Sequence, residues 1–329
     1  MTTVDYHTAG EPFRIVRSGV APLEGRRILD KRRFAGEKLD HVRKLVVNEP
    51  RGHADMYGCF VTEPEDEEGD LGVVFFHNAG YSTACGHGTI ALATWAIESG
   101  AIAAVEPETK VVVDAPSGRL VTTATVENGR VRSVRFRNVP SFVWKTGVEL
   151  QTSRGPLSAD ISFGGAFYAS VHAPDAGLRV DPEDLGELIE LGREVKHLIE
   201  SEYDVKHPVE AELADVYGVI FFERLAGGEE LHQRNVTIFA DGEVDRSPCG
   251  SGTSARLALL DASGELERGS RLIHEGIVGT RFVGSATADA EVDGHPAVIT
   301  EVEGSAHLMG EHTFILTEDD PLPSGFLLR

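Results

Sequence analysis

Cysteine is scarce: Cys59, Cys85 and Cys249 are the only three in 329 residues. They are too few and too scattered for a disulfide framework, and no C-x-x-C or paired zinc-ligand spacing exists, so neither a stapled scaffold nor a structural metal is expected. Lysine is scarce too, 7 against 24 arginines, and acidic residues outnumber basic ones 53 to 31 for a net charge of −22. Such a chain repels phosphate backbones and anionic lipid, which excludes nucleic acid and membrane surfaces as natural partners. The acidic stretch Glu63 to Asp70 reads as a solvated loop. Long apolar runs are missing: the longest, around Val73 to Phe76, is strand-sized and far short of the roughly 20 residues that cross a bilayer. The first residues, Met1 to Asp5, carry no basic segment followed by an apolar one, so no secretory leader is expected and the chain reads as cytoplasmic.

What is present is ordinary in bulk, 41% apolar and 26% charged, and long enough for two domains. Glu11 to Val16 reads as a strand and Gly25 to Val46 as one amphipathic helix, with Ile28, Leu29, Leu39, Val42 and Leu45 along a face. Strands at Met56–Thr62 and Leu71–His77 lead through a glycine-rich turn into an apolar helix, Thr89–Glu98. A strand over Lys110–Asp114 precedes a hairpin, Leu120–Val126 and Val131–Phe136, joined by Asn128-Gly129. The second half repeats the plan. Ser162–His172 is strand-like, with Gly164-Gly165 in its middle, and a helix begins at Asp181-Pro182 and runs to about residue 202. Strands at Val216–Phe222 and Asn235–Phe239 lead to a second glycine-rich turn and a second apolar helix, Thr253–Asp261. Ala297–Val302 and Thr313–Leu316 complete the strands.

The parallel is sharpest at the turns. Cys85-Gly86-His87-Gly88-Thr89 and Cys249-Gly250-Ser251-Gly252-Thr253 both spell C-G-x-G-T, both follow a strand, and both open an apolar helix half a chain length apart. A repeat at that period points to a duplicated domain. A thiol at a helix start lies beside amides without intrahelical acceptors and beside the positive end of the helix dipole, which favours thiolate. Glycines let a ligand approach the backbone closely. Two such turns could hold one carboxylate on the amides of Gly86, His87, Gly250 and Ser251, leaving a sulfur on each side of the adjacent α-carbon. That arrangement suits inversion at a carbon acid, one thiolate removing a proton and the opposite thiol delivering one, without metal or organic cofactor. Cys59, inside a strand, is assigned to packing. His87 either binds substrate or caps its turn; Asp245 either holds a substrate ammonium or bonds the backbone. A non-catalytic amino-acid binder is the competing class.

The stretches Asp5-Tyr6-His7-Thr8-Ala9-Gly10-Glu11-Pro12, Glu49-Pro50-Arg51-Gly52-His53, Cys85-Gly86-His87-Gly88 and Asp245-Arg246-Ser247-Pro248-Cys249-Gly250-Ser251-Gly252 resemble the proline racemase family, nearly end to end. The resemblance implies an α+β chain of two pseudo-symmetric α/β domains of the diaminopimelate-epimerase-like fold. Each is a curved sheet around a central helix, with the active site in the cleft between them. The expected lobes are residues 1–145 with Cys85 and 146–311 with Cys249, a last strand over about 312–329 returning to the first lobe. The resemblance makes Cys85 and Cys249 the acid/base thiols and Gly86, His87, Gly250 and Ser251 the carboxylate turn. It places His87 and Asp245 at the ring nitrogen, and Tyr57 and Phe239 around the substrate. It implies a small-molecule substrate, proline or hydroxyproline, no cofactor, and a monomer or homodimer. Racemisation or epimerisation is the leading expectation. Dehydration of trans-3-hydroxy-L-proline is the alternative, because Asp55-Met56-Tyr57-Gly58, His77 to Thr83 and Asp319 to Phe326 look closest to that branch, in which a threonine replaces the second cysteine. Here that residue is Cys249.

Overall fold

The computed structural model describes residues 1–228 and 230–328. Its internal contacts divide it into two units, Met1–Val134 with Ser305–Arg329, and Arg135–Gly304. Both are mixed sheets with helices, an α+β architecture.

The first unit opens with β1 (Thr2–Thr8) and β2 (Glu11–Ser18), followed by α1 (Ile28–Lys38) and α2 (Asp40–Val47). Then come β3 (Tyr57–Thr62), β4 (Leu71–His77), α3 (Gly86–Glu98), β5 (Glu108–Ala115), β6 (Gly118–Glu127) and β7 (Arg130–Arg137). Pairing runs β1–β2 antiparallel, β2–β3 parallel across α1 and α2, β3–β4 antiparallel, β4–β5 parallel across α3, and β5–β6 antiparallel. Apolar on every face, α3 is packed against β1, β2, β5 and β6. Ile90, Leu92 and Ile97 are buried there, each removing apolar surface worth about 1.5–3 kcal/mol from water.

The second unit holds β8 (Phe142–Thr152), β9 (Gly155–Phe163), β10 (Phe167–His172), α4 (Leu185–Glu202), β11 (Val216–Arg224), β12 (Leu231–Phe239) and β13 (Glu243–Asp245). After α5 (Gly250–Ser263) come β14 (Leu272–Gly276), β15 (Arg281–Val292) and β16 (His295–Gly304). The pairing scheme recurs: β9–β10 antiparallel, β10–β11 parallel across α4, β11–β12 antiparallel, β12–β14 parallel across α5, β14–β15 antiparallel. The apolar α5 packs against β8, β9, β10, β15 and β16. In both units, therefore, the C-G-x-G-T turn opens the helix that crosses from the fourth strand to the fifth.

β17 (Ala306–Thr313) closes the first unit by pairing antiparallel with β1. β8 flanks β9 in the same way. The returning strand thus lies at 306–313, not over about 312–329, and Thr313–Leu316 is not a strand. Beyond Thr313 the only β-pairing among the described residues is an isolated bridge, Glu49 to Phe326, in a stretch whose Pro321 and Pro323 lack the N–H a ladder needs. The boundary after Val134 also precedes the expected one after residue 145.

Three other elements differ from expectation. The helix expected over Gly25–Val46 is two, because Leu39 (φ −119, ψ 9) leaves helical geometry; the break returns Val42, Val46 and Val47 to the core that holds Ile28 and Ala35. Ser162–His172 is not one strand: Phe163 pairs with Phe167, and Gly164-Gly165, with Gly165 at φ 102, forms the reversal. Helix α4 starts at Leu185 with Asp184 as N-cap, since Asp181 bonds the Glu183 amide (3.0 Å) in a preceding turn. Asn128 and Gly129 both take positive φ, 53 and 71, as a tight turn requires.

A buried ion pair ties the first unit together. Arg14 donates through Nε and Nη2 to the Asp5 carboxylate at 2.9 and 2.6 Å, and through Nη1 to the carbonyls of Val46 and Arg51 at 2.5 and 2.8 Å. Arg14→Met strands a buried carboxylate and is expected to cost about 3–5 kcal/mol. Arg17→Met removes only an exposed 3.5 Å contact to Glu311 and is expected to cost less than about 1 kcal/mol. Urea denaturation of the two variants measures the difference.

Candidate active site

In the first unit, Cys85 caps α3. Its backbone is extended (φ −156, ψ 96), and Sγ accepts the Gly88 N–H at 3.2 Å. The sulfur thereby lies over the first helical turn. A Cβ on Gly88 would come within 2.7 Å of Sγ and 2.4 Å of Phe13, so the second glycine of the motif is demanded by the sulfur's position. The His87 ring sits against the thiol, its nitrogens 3.5 and 3.6 Å from Sγ. Thr8 Oγ1 donates to the His87 carbonyl at 2.9 Å, binding the turn to the end of β1. Tyr57 is buried beside His87, ring centroids 5.0 Å apart and edge to face, and its hydroxyl donates to Ser82. The structure therefore brings Cys85, His87 and Tyr57 together, with Gly86 as the first helical residue.

In the second unit, Cys249 caps α5 with an unusual backbone, φ 61 and ψ 103. A non-glycine residue held there stores on the order of 1–3 kcal/mol and persists only where neighbours over-determine it. Those neighbours are visible. Ser247 Oγ accepts the Cys249 N–H at 3.1 Å, and Asp245 Oδ1 accepts the Ser247 N–H at 2.8 Å. Behind the turn, Thr253 Oγ1 meets His274 Nδ1 at 2.7 Å, and Asn235 Nδ2 meets His274 Nε2 at 2.8 Å. Burial pushes the His274 imidazole down to about 3, so it is neutral, with Nδ1–H donating to Thr253 and Nε2 accepting from Asn235. A Cβ on Gly252 would lie 2.9 Å from Cys249 Sγ, the same constraint as at Gly88.

The protonation setting of this turn differs from expectation. The Cys249 thiol is pushed up to about 12, by burial first and by the Asp245 charge second. Burial outweighs the hydrogen bonds from Tyr168 and Gly252 that pull the other way. Asp245 is itself pushed up to about 6 by burial. Cys59, wholly enclosed in β3, is also raised by burial.

Some participants carry no sequence signal. The Tyr168 hydroxyl lies 2.7 Å from Ser251 Oγ and 3.7 Å from Cys249 Sγ, yet Tyr168 is one aromatic among several in a strand-like run. Phe239 stacks on Tyr217 (5.5 Å, 20°), which meets Tyr168 edge to face. Thr8 and Ser247 belong to the conspicuous N-terminal and Cys249 stretches but have no spacing that foretells their roles. Among the described residues no group of three or more His, Cys, Asp or Glu side chains is arranged to hold a metal ion.

Comparison with known proteins follows this geometry. The family model described as proline racemase matches residues 3–327. A trans-3-hydroxy-L-proline dehydratase of Bacillus thuringiensis subsp. konkukian is 45% identical over 327 residues, covering 99% of this chain and 98% of that one. A proline racemase of Clostridioides difficile is 41% identical over 99% of this chain and 97% of its own. Among solved structures, a hydroxyproline epimerase from Agrobacterium vitis with bound trans-4-hydroxy-L-proline superposes with a TM-score of 0.92 at 31% identity, covering 100% of this chain and 95% of that one. With a whole-length family match and whole-length relatives, the chain belongs to the proline racemase family.

Proposed function

We propose that this protein inverts the α-carbon of proline or a hydroxyproline, with Cys85 and Cys249 as paired acid and base. One observation carries the reading: each unit presents the same thiol turn at the same topological place, its sulfur seated over a glycine. The first-turn amides of Gly86, His87, Gly250 and Ser251 suit a carboxylate, whose charge grows as the α-proton leaves. At neutral pH Cys249 enters the reaction as a thiol, ready to donate. In the reverse direction it must give that proton up. A substrate ammonium beside Asp245 would cancel the carboxylate charge that helps hold the proton on Cys249, so binding itself prepares the second thiol. His87 and Asp245 hold the ring nitrogen in this reading, and Tyr57 and Phe239 wall the ring.

Dehydration of trans-3-hydroxy-L-proline is the second reading, favoured by the name of the Bacillus relative. Elimination needs a base on one face of the ring and makes less use of a second thiol. Incubation in D₂O with L-proline and with trans-4-hydroxy-L-proline should install α-deuterium and change optical rotation; if neither occurs, inversion is abandoned. Colour with o-aminobenzaldehyde from trans-3-hydroxy-L-proline would instead report the cyclic imine of a dehydratase.

Single substitutions separate the roles. Cys85→Ser and Cys249→Ser are each expected to lower inversion by about 10²–10⁴-fold, the usual share of one positioned acid or base. Cys59→Ser should leave turnover per folded molecule intact. In an elimination, Cys249→Ser would cost much less than Cys85→Ser.

The pH dependence follows from Asp245. Protonation as pH drops through about 6 removes the charge that pairs with substrate, so kcat/KM should fall there, and Asp245→Asn should abolish that acid limb. For stability the sign is opposite. A carboxyl raised in the folded state stabilises below its ordinary value near 3.8 and loses that contribution as pH rises through about 6. Asp245→Asn should therefore gain stability relative to wild type between pH 4 and pH 7, as measured by urea midpoints at the two pH values.

A further inference from the structure

Midway along α5 lies a second feature that the thiol chemistry does not use. Arg256 sits in the helix interior among Ala255, Leu257, Ala258 and Leu260, all buried, and is itself 4% exposed. Its guanidinium lies 3.8 Å over the Phe222 ring. Among the described residues its only polar contact is a long one, Nη2 to Gln233 Oε1 at 3.4 Å, and its buried Nε has no acceptor there. Among the described residues no carboxylate lies within ion-pair distance of it, and burial draws its pKa down to about 10. A lone buried cation is costly, and an apolar side chain of similar length would fill this helix position without the charge. Stacking on Phe222 compensates only in part.

Arg256 lines a cavity of about 750 Å³ together with Val143, Thr146, Asp160, Gln233 and Leu259. That volume is in the range, about 300–1,000 Å³, of small-molecule sites. The cavity walls also include Ser263, at the C-terminal end of the helix. With a rise of about 1.5 Å per residue, that end is roughly 20 Å along α5 from the Cys249 turn.

We infer that this cavity binds a small amino acid as a zwitterion, its carboxylate on Arg256 and its ammonium toward Asp160 and Glu265. Guanidinium donors match a carboxylate in geometry as well as charge. Asp160 and Glu265 line the same cavity; they are near enough to favour the Arg256 charge yet form no ion pair with it. Val143, Leu259 and Leu260 supply an apolar wall for a short side chain. The site stands apart from the proposed reaction, because it rests on no property of either thiol.

Calorimetric titration of the intact chain with L-alanine and with propionate tests it, using wild type, Arg256→Met and Thr146→Trp. Thr146 is exposed at the cavity wall, so its replacement obstructs the cavity without disturbing the core, and it decides the case if Arg256→Met does not fold. Alanine binding should weaken at least tenfold in both variants, and wild type should bind alanine more tightly than propionate. Absence of alanine binding in wild type, equal binding in Thr146→Trp, or propionate binding as tight as alanine would overturn the assignment. The readout is heat of binding, so a failure of the inversion assay leaves this test unaffected.

Discussion

The structure turns on where two sulfur atoms sit. Each lies over the first turn of an apolar helix buried inside its own sheet, so close that the residue three positions on can carry no side chain: a Cβ there would meet sulfur at 2.7 Å in one unit and 2.9 Å in the other. This single steric fact accounts for the second glycine of C-G-x-G-T. A helix wrapped inside its own sheet has almost no wet face, which is why α3 and α5 are buried along most of their length. The surrounding strands follow from the need to enclose α3 and α5. Enclosure in turn fixes the direction of each helix, and with it the end at which unpaired amides gather.

Duplication explains the rest of the topology, including its one irregularity. Strand for strand, β1 to β6 match β9 to β12 with β14 and β15, and the helices cross at corresponding points. In the second unit β8 precedes β9 in sequence and covers its free side. The corresponding side of β1 is covered instead by β17. An uncovered first strand would present a row of unpaired amides and carbonyls, a template for aggregation. Asp5 and Arg14 then lock the repaired edge, with His312 of β17 placing Nε2 3.2 Å from the Asp5 carboxylate.

Much of this was legible in the sequence because the decisive signals are local. Strands β4, β11 and β12, the Asn128-Gly129 turn and both apolar helices follow from composition and period over a few residues. The misread segments fail for tertiary reasons. Gly36, the nearest helix breaker, stays inside α1, and the break comes at Leu39, which lets Val42 and Val46 return to the core that holds Ile28. Gly164-Gly165 looks like a weak spot in a strand until a partner strand is known. At the candidate site, the cysteines and glycines announce themselves by repetition. Tyr168, Ser247 and His274 do not, because each acts through a hydrogen bond to a residue distant in sequence or through a short loop whose shape no period encodes.

The repeat is not a copy in its electrostatics, and the difference bears on chemistry. Cys85 has an extended backbone and an imidazole beside its sulfur. Cys249 has a strained backbone, a phenol near its sulfur and a buried carboxyl that raises the cost of its ionisation. Identical turns have thus been given unlike surroundings. In the proposed inversion one thiol starts as base and the other as acid, and two equivalent environments would leave that order unbiased. In the proposed inversion, the Asp245 charge that raises Cys249 would supply such a bias. In that reading a cationic ring nitrogen paired with Asp245 would withdraw the bias, whereas the burial that raises the same thiol would remain.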